Sequence, residues 1–372
     1  MAELTESQEI AVNSVLDSLE RDEACCIVGG SGSGKTYVIK HLQDHFSRIG
    51  KTVVSVAPTN SAAQNIDGHT ICRWIGATPY YNKKGELRFK IPIQTELLKE
   101  TYAPGDVLIV DEAFMVQQEW IAALHEKQCS PQIIFVGDGN QLPPVKESDS
   151  VLMLSDLPKF KIEGSQRFGD NKFLTDLAYG LLNCTDRGEI FSLLSTIPKK
   201  TELYAVNNGY TCLSYTNGNC DRLNVLHTSY NDLTPVYIGQ KLLMDRTILE
   251  SDLYTKEEVE VTDVYEDSAM LGNRALYKLH TLDTLAEREA QRKFLLSESG
   301  TSGKEWSRFY KEWEPYLTLY YAQFRTVHSA QGQTMDKVAI CINDFQKCRD
   351  LKTLKRLAYT AVTRSTGNII AI

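Results

Sequence analysis

The octapeptide GGSGSGKT, residues 29–36, satisfies G-x-x-x-x-G-K-[ST] and stands between an apolar run and a helical pattern. Backbone N–H groups of such a loop can close around phosphates, and the helix N-terminus behind it adds a favourable potential. In that chemistry Gly29, Gly30, Ser31, Gly32, Ser33 and Gly34 form the cradle. Lys35 reaches the β- and γ-phosphates, and Thr36 takes a Mg²⁺ ion. About 75 residues further on, VLIVDEA (107–113) ends four apolar residues with Asp111 and Glu112. In open α/β sheets the reactive crevice lies beyond the carboxyl ends of the strands. Two adjacent acids there can divide the work, Asp111 in the Mg²⁺ shell and Glu112 as base for an attacking water. By itself a strand ending in Asp-Glu reads as an exposed turn; behind a phosphate loop it reads as a site. VGDGNQLPPV (136–145) then offers Gln141 to sense a γ-phosphate or orient water, a task an amide performs without changing charge. The bland alternative is a turn stiffened by Pro143 and Pro144.

Groups of this kind need strands that end along one edge. Short apolar runs alternate with helical patterns, the signature of parallel sheets covered by helices. The first half gives strand ACCIVGG, helix 35–48, strand TVVSVAPT, a helical stretch 60–75, strand DVLIVDEA, helix 118–127 and strand QIIFVGD. The second gives strand YTCLSYTN, helix 219–230, strands near 317–327 and 337–342, helix 347–363 and a last strand NIIAI. The expectation is an α/β chain of two lobes. Two stretches break the alternation. Residues 76–104 contain YYNKKGELRFKI, in which Leu87, Phe89 and Ile91 alternate with Arg88 and Lys90 beside a Lys-Lys-Gly turn, predicting an inserted β-hairpin. Residues 240–321 hold an acidic β-rich segment, a helical pattern near 284–296, a Gly/Ser break and the aromatic run KEWSRFYKEWEPY.

At 372 residues, with 42% hydrophobic and 24% charged, the composition excludes disordered and fibrous classes. No apolar run approaches the roughly 18 residues of a membrane span, and MAELTESQ lacks a signal-peptide pattern, so a cytosolic-type protein is expected. The net charge of −8 is local: residues 245–267 hold nine acids and two bases, leaving the rest near −1, so a polyanionic partner is not excluded. Basic clusters at 83–90 and 347–356 read, alone, as solvated faces. The nine cysteines show no Cys-x-x-Cys spacing, which argues against disulfides and structural zinc.

LTESQ, GGSGSGKT, APTNSAA, IVDEA, GDGNQLPPV, SQRF, SYTN, TVHSAQGQT and AYTAVTR occur in the order of the motifs of superfamily 1 helicases. The chain resembles the RecD/Dda-like branch of that family over nearly its whole length. The resemblance implies two RecA-like P-loop NTPase lobes: 1–75 with 105–165, and 166–239 with 322–372. It makes 76–104 a pin that splits duplex, and 240–321 a β-barrel with a helical hook. Gln8 becomes the adenine-reading residue, and Arg167 and Arg364 the arginines presented to the γ-phosphate. Gly332 becomes part of a loop near the phosphates. Thr59, Asn60, His69, Thr326 and His328 fall at strand-contacting positions, with Phe89 of the pin and Trp306 of the hook as further DNA-facing candidates; Trp306 and Tyr310, at i,i+4 on one helix face with Trp313 a turn on, read equally as a hydrophobic contact stripe. Thr59-Asn60 could equally cap a helix.

The implied activity is an ATP- and Mg²⁺-dependent helicase that translocates 5′ to 3′ on single-stranded DNA and opens forked duplex. The implied setting is the cytoplasm of a bacterial or phage-infected cell, as a monomer without membrane attachment. A single-strand binding protein or replication and recombination proteins are further partners on this reading. The alternative is an ATP-switched nucleic-acid remodelling factor that does not unwind. A P-loop kinase or small-molecule ATPase would not need TVHSAQGQT and YTAVTR.

Overall fold

Runs of β-branched and apolar residues suit strands covered on both faces, and in the computed structural model of the chain most of them form parallel sheets. The structure describes residues 3–92, 104–128, 132–144, 147, 149–164, 168, 171–230, 236–244, 257–280, 282–298, 301–316 and 322–372. The chain forms two compact units, one of Met1–Ile75, Gln94–His227 and Gln323–Ile372, the other of Gly76–Ile93 and Thr228–Ala322.

In chain order the first strands are β1 (Cys25–Gly29), β2 (Val53–Ala57), β3 (His69–Thr70), β4 (Thr78–Tyr81) and β5 (Leu87–Lys90). β6 (Val107–Val110), β7 (Ile133–Gly137) and β8 (Lys159–Ile162) follow. Six of them make one parallel sheet in the order β3-β2-β6-β7-β1-β8. Its core packs Val12, Val15 and Leu19 of helix Glu6–Glu20, and Val38, Ile39 and Leu42 of helix Lys35–Arg48, against Ile27, Ile109 and Ile134. The expected helix 60–75 is broken. Asp67 adopts a left-handed φ of 51°, and Gly68 runs so close to Ser55 that a Cβ would lie 2.3 Å from its carbonyl oxygen. The chain thereby inserts β3 between helices Asn60–Asn65 and Ile71–Ile75.

The later strands are β9 (Thr211–Ser214), β10 (Lys241–Leu243), β11 (Glu258–Val264), β12 (Ser268–Leu271), β13 (Ala275–Lys278), β14 (Phe324–Thr326), β15 (Met335–Ile340) and β16 (Ser365–Ala371). A second parallel sheet has the order β14-β9-β15-β16. Helices Lys172–Asn183, Arg187–Leu194 and Leu351–Val362 share its core. The basic cluster 347–356 is largely engaged within this unit: Lys352 and Arg356 both pair with Asp149, Lys347 pairs with Asp344, and Lys355 donates to the Cys184 carbonyl.

In the other unit β10 to β13 form a four-stranded antiparallel sheet. Along β11, Val259 and Val261 are buried while Glu258 and Glu260 face out, so alternation keeps the acids in water. Of the acidic run, 245–256 lies outside the described residues. β4 and β5 form the expected hairpin, with Tyr80 opposite Arg88 and Pro79 opposite Phe89. Lys83 and Lys84 are exposed in its turn, while Arg88 pairs with Glu86. Two strands alone are marginal in water, and this pair is held at its turn by helix Gly303–Glu312. Trp306 Nε1 donates to the Lys83 carbonyl at 3.1 Å and Tyr310 Oη to the Gly85 carbonyl at 3.0 Å. Tyr81 stacks on Tyr310 with ring centres 4.2 Å apart. Trp306 is only 1% exposed, so the expectation that it faces DNA is corrected: its ring is occupied by the hairpin turn and by Phe309. Leu87 and Phe89 stay exposed on the hairpin.

Candidate functional site

The phosphate loop runs from the end of β1 into helix Lys35–Arg48, as the motif requires. Gly34 has φ 86°, a left-handed geometry that favours glycine, and a Cβ there would lie 2.4 Å from Gln8 Nε2. Lys35 Nζ donates to the carbonyls of Gly29 and Gly30, 2.9 Å each. Its ammonium is thus folded back over the loop and within reach of whatever the loop encloses.

A cavity of about 430 Å³ opens beside it. The loop lines one side with Ser31, Gly32, Gly34, Lys35 and Thr36. The ends of β6 and β7 contribute Asp111, Glu112 and Gln141; the second sheet's segments contribute Gly332, Thr334 and Arg364. Ala62 and Thr334 lie in the motifs APTNSAA and TVHSAQGQT without being singled out there, and Asn65 carried no signal in the sequence. Arg364 is 1% exposed, and its guanidinium donates to the carbonyls of Thr360 and Gln333 and to Thr363 Oγ1. It directs a buried cation at the cavity from the opposite side to Lys35's own helix. Arg167 lies outside the described residues.

Asp111 is buried at the end of an apolar strand. Burial, then the neighbouring Glu112, push its carboxyl well above the usual range, with Lys35 acting the other way. Glu112 has φ 48°, a left-handed conformation costing about 1–2 kcal/mol for a residue with a Cβ, and its N–H donates to Asp111 Oδ1 at 2.8 Å. Both carboxylates line the cavity from this one strand end. Gln141 donates through Nε2 to Asp138, while its Oε1 is buried without a partner, as is Ser33 Oγ. A cavity whose lining includes an ammonium, a hydroxyl, a carboxyl of raised pKa and the Gln141 amide fits a phosphate chain with a divalent cation. Among the described residues no three His, Cys, Asp or Glu side chains cluster as a separate metal site.

Gln8 is buried beside the phosphate loop. It sits at the third position of helix Glu6–Glu20, where its Oε1 accepts from Thr5 N and its Nε2 donates to the Ser33 carbonyl. The Oε1 end of the amide thus closes a capping box while the Nε2 end braces the phosphate loop. Thr59 caps helix Asn60–Asn65 through Ala62 N, and Asn60 opens that helix. His69 lies in β3, paired with Val56 beside the end of β2. Thr326 ends β14, where its Oγ1 accepts from Ser329 N. His328 follows in the next turn, and burial holds its ring below the usual histidine range and hence neutral near pH 7.

A phosphate loop at the head of one parallel sheet, facing a buried arginine from a second, defines a P-loop NTPase with two RecA-like lobes. The AAA domain family matches residues 3–181. The RecBCD subunit RecD of Buchnera aphidicola subsp. Schizaphis graminum is 32% identical over 143 residues, 33% of this chain and 23% of that one. The ATP-dependent DNA helicase Pif1 of Psychrobacter sp. is 28% identical over 145 residues, 36% of this chain and 21% of that one. The match therefore spans less than a quarter of either relative's length. Among solved structures, Bacteroides Pif1 bound to ssDNA aligns over 100% of this chain and 92% of its own, with TM-score 0.63 and 17% identity. Pif1 from Candida albicans aligns with TM-score 0.58 at 18% identity, over 100% of this chain and 94% of its own. The likeness to the Pif1 structures is one of fold, and it extends the length of the chain.

Proposed function

We propose that the chain is a superfamily 1 DNA helicase that uses Mg-ATP to move 5′ to 3′ along single-stranded DNA and open duplex, nearest in kind to the phage helicase Dda. The observation that carries this reading is Arg364. A buried guanidinium from the second lobe reaches the same cavity as Lys35, Asp111, Glu112 and Gln141 of the first, so hydrolysis there depends on how the lobes meet.

Lys35 would leave the loop carbonyls for the phosphates, and Thr36 and Asp111 would hold Mg²⁺, which neutralises phosphate charge when bound. Glu112 takes the proton of the attacking water, Gln141 orients that water, and Arg364 stabilises charge developing on the γ-phosphate. Arg167 is assigned the second arginine's place and Gly332 the approach to the phosphates. Thr59, Asn60, His69, Thr326 and His328 would line the strand, with hydroxyls, an amide and imidazole rings suited to phosphate contacts made and released each cycle. The insertion 76–104, of which 93–103 lies outside the described residues, would serve as the pin, its hairpin held by the hook. The chain would act as a monomer on forked DNA, with single-strand binding or recombination proteins as further partners.

Matched duplexes with a 5′ or a 3′ tail, incubated with ATP and Mg²⁺, test activity and direction together. Opening of the 5′-tailed duplex alone is expected. Opening of only the 3′-tailed one would refute the direction. ATP turnover stimulated by single strands without strand separation would refute the helicase.

A further inference from the structure

Tyr359 lies on helix Leu351–Val362 in the layer of the second sheet, yet its hydroxyl bonds only to the first lobe. It accepts from Ser31 N of the phosphate loop at 3.2 Å and donates to Asp138 Oδ2, beyond the end of β7, at 2.9 Å. The side chain is 4% exposed, and burial followed by the Asp138 charge pushes its pKa far up, so it stays a donor. The fit is close: a Cβ on Gly30 would stand 3.4 Å from this hydroxyl. Asp138 is itself buried, with Oδ1 accepting from Asn140 N at 3.0 Å and Oδ2 also accepting from Gln141 Nε2 at 3.3 Å. One carboxylate oxygen therefore sits between the tyrosine and the amide of Gln141, a residue of the cavity lining.

We infer that Tyr359 is a positioning residue for ATP hydrolysis: it fixes the phosphate loop at Ser31 and, through Asp138, sets the direction of the Gln141 amide. Arg364 lies five residues further along the same segment, and Ser31 Oγ donates to the Thr363 carbonyl between them. Movement of that segment therefore delivers Arg364 and aligns Gln141 together. A buried network of this kind tolerates few arrangements, which makes it a switch between aligned and misaligned states rather than a graded adjustment.

The inference rests on the ATP-hydrolysing reading above. Its test compares basal ATP turnover of the wild type, Tyr359→Phe, Gln141→Ala and the double variant. Tyr359→Phe keeps the ring and removes both hydrogen bonds; kcat is expected to fall about tenfold while KM for ATP moves less than about twofold. In the Gln141→Ala background the same substitution should lower kcat by clearly less than in the wild type, because one of its two targets is gone and only the Ser31 contact is left to lose. Equal loss in both backgrounds, a change confined to KM, or unchanged kcat would overturn the inference. Should Tyr359→Phe melt early, Asp138→Asn interrupts the path from the other side and answers to the same outcomes. Absence of stimulation by single strands in the wild type would count against the helicase alone, since the variants are compared on basal turnover.

Discussion

Gly85→Ala is expected to unlatch the hairpin while leaving the ATPase intact. Gly85 has φ 73°, and a Cβ there would stand 2.6–2.8 Å from three atoms of the Trp306 ring. The left-handed conformation costs alanine about 1–2 kcal/mol. The ring is buried on its other side and cannot retreat, so overpacking adds about 1–3 kcal/mol. Against this total of about 2–5 kcal/mol stand two hydrogen bonds of about 0.5–1.5 kcal/mol each and one aromatic stack of similar worth. The latch, at about 1.5–4.5 kcal/mol, is therefore lost or nearly lost. Hydrogen exchange of the amides in 78–90 reads this directly, alongside DNA-stimulated ATP turnover and fork opening. The expected result is fast exchange in the hairpin, turnover near wild type and a large fall in unwinding. Unchanged hairpin protection would refute the packing argument. Loosened protection with normal unwinding would refute the role of the hairpin at the fork.

The other predictions address the cavity, the pin and pH. Glu112→Gln should bind ATP but turn it over at a small fraction of the wild-type rate, measured by single-turnover hydrolysis; near-normal turnover would exclude it as the base. Arg364→Ala should reduce DNA-stimulated turnover by about 10³ or more with a much smaller change in nucleotide affinity, measured by titration and saturation kinetics. Phe89→Ala, at a position 39% exposed, should shift stability by no more than about 0.5 kcal/mol yet impair unwinding more than ATP turnover, as calorimetry and paired assays on one preparation would show. Burial depresses the His328 pKa, so the unfolded chain takes up a proton near pH 6.5 before the native one does. Stability is therefore intact above that value and falls as pH drops through it. His328→Gln should flatten the melting temperature between about pH 5 and pH 7.5, and an unchanged slope would remove the cause.

What was legible in the sequence follows the range of the interactions concerned. Strands β1, β6 and β7 are continuous apolar runs, β2 is one broken only by Ser55, and the phosphate loop is local chemistry, so these could be read directly. The opening helix Glu6–Glu20 was passed over although Thr5 and Gln8 spell its capping box. Edge strand β8 was missed because KFKI is four residues long with lysines facing out. The i,i+4 spacing of Trp306 and Tyr310 showed one helix face and could not show what covers it. Tyr359 was invisible for a related reason. Its partners lie 328 and 221 residues away, and a tyrosine in AYTAVTR looks like any buried aromatic until the lobes are assembled.

The two bonds that hold the hairpin turn join residues 223 and 225 positions apart. During synthesis at about 5–20 residues per second, the turn therefore leaves the ribosome roughly 10–45 s before the helix that secures it exists. Through that interval two short strands carrying Tyr80, Leu87 and Phe89 have no support from the hook, while the apolar strands around them are already able to pair. Nascent chains halted before Trp306 would thus be expected to expose this segment to proteases and chaperones. The order in which the polypeptide is made places the finishing of the hairpin after the opening segments of the ATP site are already in hand.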